Sequence, residues 1–139
     1  MELAITRTPY GAVEDHRWLD NTEGLEQPFP CTIDGTLFTS GNFPDGVIPS
    51  GTVIAKVTAT GLYGPYNDGA SDGRQTAVGH LIDVSFVGAA RAGLGAGKDS
   101  VVLMTIGAVL SNKLPIASGD GALDAAGQVD LKLIRYRTI

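Results

Sequence analysis

The sequence predicts a mainly β fold in which short strands are joined by tight turns. The chain of 139 residues contains 19 glycines and seven prolines, a composition typical of many turns and few long helices. A run rich in β-branched residues, 52–60, lies between the turn Pro49–Gly51 and the strand breakers Gly61 and Gly64. A chain of this length supports one domain with a hydrophobic core. We therefore expect one β-rich globular domain with appendages.

Each further element is predicted from a short apolar or alternating run between turn residues. The predicted strands are Thr36–Thr39, 51–60, 76–87, 101–110 and 131–138. Gly107 interrupts the otherwise apolar run before residue 110 and marks a bulge or a close approach. Asp124, followed by two alanines, predicts the N-cap of one short helix. The small residues of Gly88–Ser100 predict a loop, to which the sequence assigns no role.

The acidic residues are concentrated near the N-terminus. Residues 1–35 contain seven acidic and two basic residues, which accounts for the whole net charge of −5, whereas residues 36–139 contain eight of each. Nucleic-acid binding requires a basic surface that releases phosphate counterions, so this distribution argues against it. A partner of the acidic segment would be locally basic; the alternative is a solvated segment without a specific partner.

Residues 1–35 also lack the period of a strand or of a helix, although they contain spaced apolar residues. We therefore predict an extended N-terminal arm over 1–35, joined to a β-rich domain over 36–139. Trp18 is the only tryptophan, and burial of so large a ring stabilises a contact by up to a few kcal/mol. We expect Trp18 to dock on a partner, so that removal of the arm leaves a folded core. The predicted arm contacts are Arg17, Trp18, Leu19, Leu25, Phe29 and Ile33.

The sequence contains no complete catalytic or cofactor motif. Residues 93–98 are rich in glycine, but a phosphate-binding loop requires a glycine and a Ser or Thr where the chain has Ala92 and Asp99. The single cysteine, Cys31, excludes an internal disulfide, and two histidines are too few for an ordinary zinc site. We therefore predict no enzyme activity, no cofactor and no metal.

The hydropathy pattern gives an expectation about location. No apolar run approaches the length of about 18 residues that a membrane span requires, and the first residues lack the basic-then-apolar order of a signal peptide. We therefore expect synthesis in the cytoplasm and no membrane partner.

Four stretches of the chain occur in an order typical of one protein family. They are Glu14–Leu19, Asp45–Gly51, Gly64–Tyr66 together with Asp72–Gly79, and Leu123–Gly127 followed by Ile134–Tyr136. The set spans most of the chain and resembles the lambda-type head decoration proteins of tailed bacteriophages, most closely the longer forms of actinobacterial phages. The loop Gly88–Ser100 has no counterpart in that pattern.

The resemblance implies a compact β-barrel, sometimes called a β-tulip, with one short helix and an extended N-terminal arm. It also implies a capsid cement protein that binds the outer surface of the expanded icosahedral head as a homotrimer at local threefold positions. Its partner in the virion would be the major capsid protein, and its role would be capsid stabilisation against the pressure of packaged DNA. We assign the trimer interface to apolar residues in turns, namely Tyr63, Pro65, Tyr66, Leu114, Pro115 and Ile116.

Two other functions are consistent with the sequence. One is a different structural virion component, such as a tail or baseplate β-domain. The other is a small-ligand or carbohydrate-binding β-barrel, in which Trp18, Tyr63 and Tyr66 would be the stacking aromatics. The position of Trp18 relative to the two tyrosines separates the carbohydrate-binding alternative from the others.

Overall fold

A closed five-stranded β-barrel forms the body of the chain. The computed structural model describes residues 15–22, 24–39, 41–43, 46–88 and 97–139. In chain order the elements are β1 (Phe29–Asp34), β2 (Val53–Lys56), β3 (Tyr63–Pro65), β4 (Ala77–Leu81), β5 (Lys98–Met104), β6 (Gly107–Leu110), α1 (Ala125–Asp130) and β7 (Ile134–Arg137). Short 3-10 helices span Gly35–Leu37 and Ser111–Lys113. The prediction of a mainly β fold, with a β-barrel and one short α-helix, is confirmed for the described residues.

The barrel strands follow the order β1-β3-β2-β4-β5, and the barrel closes between β5 and β1. This closing pair is antiparallel, with Phe29 opposite Leu103 and Asp34 opposite Lys98. β1 runs parallel to β3, and the other neighbouring strands are antiparallel. Closure pairs the backbone edges that an open sheet would expose. The fold of the barrel therefore depends on β1.

A second, smaller sheet packs against the barrel. β6 pairs in parallel with β7, and on the other side of β6 Leu19 forms an antiparallel bridge with Val109. Beside this bridge, the Leu110 N–H donates to the carbonyl oxygen of Trp18 at 2.7 Å. Residues 18–20 thus extend the small sheet and attach the N-terminal part of the described chain to it.

Two hydrophobic clusters lie on opposite faces of the barrel wall. Ile54 belongs to one cluster, whereas its neighbours Val53 and Ala55 belong to the other, as the alternation of side chains along a strand requires. The inner cluster comprises Ile33, Phe38, Phe43, Ile48, Ile54, Leu81 and Leu103. The outer cluster, between the barrel, the small sheet and α1, comprises Trp18, Val53, Ala55, Tyr66, Ala77, Met104, Val109, Leu131 and Ile134.

The structure moves or divides several predicted strands. Thr36 and Leu37 lie in a 3-10 helix instead of a first strand, because the Asp34 carboxylate accepts the Thr36 N–H at 3.0 Å and caps a tight turn. The predicted strand 101–110 is two strands, β5 and β6, and Gly107 begins the second with a φ of 150°. β5 also begins earlier than expected, in the last residues of the predicted loop, of which 89–96 lie outside the described residues.

The predicted division between an arm and a domain at residue 35 falls inside the folded domain. β1 closes the barrel through β3 and β5, and residues 18–20 pair with β6. Trp18 and Ile33 are 1% and 0% exposed. The prediction of a separate arm is therefore wrong for residues 15–22 and 24–35. Residues 1–14 of that arm lie outside the described residues.

A close backbone contact at the end of β1 leads to a stability prediction. A Cβ atom on Gly35 would lie 1.7 Å from the carbonyl oxygen of Val87, and the Gly35 N–H donates to the Gly97 carbonyl oxygen at 2.7 Å. Gly35→Ala should therefore lower the free energy of unfolding by about 1–3 kcal/mol or more, because backbone must move. Gly41→Ala is the matched control, since a Cβ atom on Gly41 would have no neighbouring atom within 4 Å. Equal urea midpoints for the two variants would contradict the contact.

Candidate functional site

Trp18 is buried in the outer cluster and held by a hydrogen bond. Its indole Nε1–H donates to the Ser50 hydroxyl oxygen at 3.0 Å, and that hydroxyl donates to the carbonyl oxygen of Ile82 at 2.5 Å. Gly51, with a φ of 98°, lies so close that a Cβ atom there would be 3.0 Å from the indole ring. The predicted turn Pro49–Gly51 thus forms part of the wall against which the ring packs. The expectation that Trp18 docks on a partner is wrong.

His80 is the centre of a buried polar network. Its Nδ1 atom lies 2.8 Å from the Gly51 carbonyl oxygen, and its Nε2 atom lies 2.7 Å from the Tyr136 hydroxyl. A carbonyl oxygen can only accept, so Nδ1 has the proton and Nε2 accepts from Tyr136. The imidazole also stacks on the Trp18 indole, with ring centroids 5.4 Å apart. The network therefore joins the N-terminal segment, the turn before β2, β4 and β7.

Burial determines the protonation of this network. Desolvation lowers the pKa of His80 to about 4, against a smaller opposing effect of the hydrogen bond to Gly51. Desolvation likewise raises the pKa of Tyr136. Both side chains are therefore neutral near pH 7, in agreement with the single hydrogen-bond arrangement that the geometry allows.

The buried neutral His80 predicts a loss of stability between about pH 6.5 and pH 4. The unfolded chain binds a proton below its pKa of 6.5, whereas the folded chain does so only below about 4. The unfolded state therefore binds more protons in this window, and the stabilisation present above pH 6.5 is lost as the pH falls, by on the order of 3 kcal/mol. Urea unfolding at several pH values would measure the loss.

His80→Asn is the test variant for this pH dependence. Asparagine retains an N–H donor near the Gly51 carbonyl oxygen but does not titrate. Its stability should be lower at neutral pH and should change less between pH 6.5 and 4. The same pH dependence in parent and variant would contradict the assignment to His80.

Carboxylates contribute at lower pH. Hydrogen bonds from arginines two residues along the chain lower the pKa of Asp15 and of Asp72, and those from Arg137 lower the pKa of Asp20. The stabilisation by these pairs is present above the ordinary carboxyl pKa of 3.8 and is lost as the pH falls below it. The pH range in which these carboxylates affect stability thus begins where the pH range for His80 ends.

The predicted arm contacts do not form one surface. Trp18 and Ile33 are buried, Leu19 and Leu25 are half-buried against the outer cluster, and Arg17 and Phe29 are exposed. Arg17 forms an ion pair with Asp15 at 2.8 Å, and Phe29 packs edge to face on Tyr63 with ring centroids 6.2 Å apart. Arg17 and Phe29 thus remain predicted partner contacts, but as parts of the domain surface.

The predicted trimer contacts are divided in the same way. Pro65 and Tyr66 are buried, Tyr63, Leu114 and Ile116 are half-buried, and Pro115 is exposed. The Tyr66 hydroxyl donates to Asp124 Oδ1 at 2.7 Å and so connects the end of β3 to the N-terminus of α1. The prediction is wrong for Pro65 and Tyr66, which contact their own chain. It stays a prediction for the other four.

The burial of the aromatic rings also excludes the predicted carbohydrate-binding platform. Trp18 and Tyr66 are each 1% exposed, so neither ring presents a face on which a sugar could stack. A cleft of about 320 Å³ lies beside Tyr66 and Asn67. The Asn67 side-chain amide donates to Asp120 Oδ1 at 2.7 Å within the chain. A platform of Trp18, Tyr63 and Tyr66 is therefore excluded.

The remaining reactive groups give no coordination or nucleophilic centre in the part of the chain that is described. No three His, Cys, Asp or Glu side chains there lie close enough together to hold a metal ion. Burial raises the pKa of Cys31 to about 11, so its thiol is not activated. None of the described helices has both the length and the apolar character needed to cross a membrane.

The chain matches no protein-family model, and no curated protein matches it in sequence.

Proposed function

We propose that this protein is a capsid decoration protein of a tailed bacteriophage. It binds the outer surface of the expanded head as a homotrimer at local threefold positions and stabilises the head against the pressure of packaged DNA. The observation that supports the proposal best is that stretches belonging to the resemblance contact one another in the interior of the domain.

These contacts connect the four stretches in pairs. Trp18 of the first stretch donates to Ser50 of the second at 3.0 Å. Tyr66 of the third donates to Asp124 of the fourth at 2.7 Å. Tyr136, also in the fourth, is joined through His80 to the second.

Turn chemistry shared with unrelated β proteins would not require such contacts. The contacting residues belong to one domain, which is a closed barrel with a single described α-helix. A compact barrel with one short helix is the fold that the resemblance implies. The barrel, the single helix and the contacts between the stretches are the features of this chain on which the proposal depends.

The proposed attachment uses the N-terminal segment of the chain. Because residues 15–22 and 24–35 belong to the domain, the predicted arm stays a prediction for residues 1–14 only. Three such arms on one trimer would bind together, and multivalent attachment exceeds the affinity of a single arm by orders of magnitude only where the docking sites have matching geometry. The trimer would therefore bind the expanded lattice and not the procapsid.

Truncation tests this proposal. Removing residues 1–14 retains the described packing of Trp18 and β1 and should therefore leave a cooperative unfolding transition, but it should weaken binding to expanded heads at least about tenfold. The heads should be those of the phage that encodes the chain, with its procapsids as the negative control. Equal binding by parent and truncated protein would contradict the arm. Failure of the parent to bind expanded heads would contradict the decoration function.

A further inference from the structure

β7 has an open backbone edge among the described residues. β6 is paired on both sides, by β7 and by Leu19, so β7 is the outer strand of the small sheet. The carbonyl oxygen of Leu133 accepts from the Gly107 N–H at 3.2 Å, which orients the backbone of Leu133 towards β6. The carbonyl oxygen of Arg137 accepts from the Ser111 hydroxyl at 3.4 Å, so the backbone of Arg137 also faces the β6 side of the strand.

Successive residues of a strand direct their N–H and C=O groups to opposite sides. The backbone of Arg135 therefore faces β6, like those of Leu133 and Arg137. The N–H and C=O groups of Tyr136 and Thr138 point away from β6, and no described backbone group outside the sheet pairs with them. The outer edge thus presents the donors and acceptors of Tyr136 and Thr138 at strand spacing, whereas the N–H of Ile134 donates to the Leu131 carbonyl oxygen at 3.2 Å.

This edge is basic, although the protein is acidic. Lys132, Arg135 and Arg137 are exposed and lie within six residues of one another. Lys113 is exposed in the adjoining 3-10 helix, which is connected to the chain end by the hydrogen bond from Asn112 to Ile139 at 2.9 Å. Two of the ten basic residues of a chain with net charge −5 therefore lie in β7 and two lie beside it, and the acidic side chain of Asp20 forms an ion pair with Arg137 at 2.6 Å.

The two ends of the edge are apolar. Leu133 is 66% exposed and Ile139 is 71% exposed, and both belong to the few large apolar side chains that are exposed among the described residues. A basic strand with an apolar side chain near each end is complementary to an extended segment that is acidic and contains apolar residues. Main-chain hydrogen bonds would supply affinity, and the side chains would supply specificity.

We propose that the β7 edge, defined as Lys132–Ile139, is a docking site for an extended acidic segment of another polypeptide chain, which adds to the small sheet as a further strand. This inference does not depend on the decoration function. A nucleic acid is the less suitable occupant, because the outward donors alternate with carbonyl acceptors that would repel phosphates. Basic residues that merely prevent edge-to-edge association are the other explanation of this surface.

The experiment uses a fluorescent peptide of about eight residues that alternates glutamate with valine, a length that suits one strand. Binding to the full chain is measured by anisotropy. Thr138→Pro removes one outward N–H at an exposed side chain, and the double variant Lys132→Glu with Arg135→Glu reverses two charges. Each should weaken binding by about tenfold. Lys56→Glu, an exposed charge reversal on β2, is the control that should change binding little.

Amide hydrogen exchange separates strand addition from charge attraction alone. The bound peptide should slow exchange at Tyr136 and Thr138 and leave Arg135, which already faces β6, unchanged. Thermal unfolding of every variant checks that the fold is retained. Absence of peptide binding, binding unaffected by Thr138→Pro, or exchange unchanged at both outward amides would overturn the proposal. A single-stranded oligothymidylate that binds as tightly as the peptide, with the same dependence on the variants, would also overturn the proposal. The edge would then be a general site for polyanions.

Discussion

Removal of residues 1–35 should abolish the cooperative unfolding transition of the protein. The deletion removes β1, and with it the antiparallel pairing that closes the barrel against β5. It also removes Trp18 and Ile33, which are 1% and 0% exposed. Loss of either of these side chains alone costs about 2–5 kcal/mol, a large part of the 5–15 kcal/mol that stabilises a typical domain.

Circular dichroism during thermal unfolding measures this result. Removal of residues 1–14 is the matched control and should leave the transition in place. A cooperative transition in the 1–35 deletion at the midpoint of the parent would contradict the barrel topology. It would instead support the separate arm that the sequence predicts.

Trp18→Ala should lower the free energy of unfolding by about 3–5 kcal/mol, because it leaves a cavity in the outer cluster and removes the ring that stacks on His80. Ser50→Ala removes only the hydroxyl that accepts from the indole and should cost about 1 kcal/mol. Urea unfolding followed by circular dichroism compares the two variants.

Arg17→Ala, at the exposed neighbouring position, is the control and should leave the urea midpoint nearly unchanged. A Trp18→Ala protein as stable as the Arg17→Ala protein would show that the indole is not buried in solution. The tryptophan would then again be available to a partner, as the sequence predicts.

Turn chemistry made several elements predictable. Gly51 and Gly61 have positive φ values, at the turn and the strand end assigned from the sequence. The cap of α1 is also as predicted, since Asp124 Oδ1 accepts the Gly127 N–H at 2.7 Å. Such features depend on a few consecutive residues, so the sequence alone contains the information.

β1 and β3 were not predicted, because their pairing depends on distant residues. Pro30 lies within β1 and Pro65 ends β3, and proline is unfavourable in most strand positions. Both strands nevertheless form, since β1 pairs with β5 and with β3 across long separations in sequence. A pattern of neighbouring residues does not identify partners that are distant in sequence. The first 35 residues therefore resembled an arm.

The central network escaped prediction for a related reason. A histidine between apolar neighbours in a strand indicates a buried side chain, but the sequence does not say which groups satisfy its two nitrogens. The partners of His80 are Gly51 and Tyr136, 29 and 56 residues away. Likewise Asp20, which contributes to the acidic character of residues 1–35, forms an ion pair with Arg137 at 2.6 Å. Part of that charge thus acts within the domain.

Electron cryomicroscopy of tailed-phage particles that contain this chain tests the proposed decoration function most directly. The account predicts three copies of the barrel around each local threefold position on the outside of the expanded head, and none on the procapsid. Density for the barrel on the tail or baseplate, or dimers at twofold positions of the head, would contradict it.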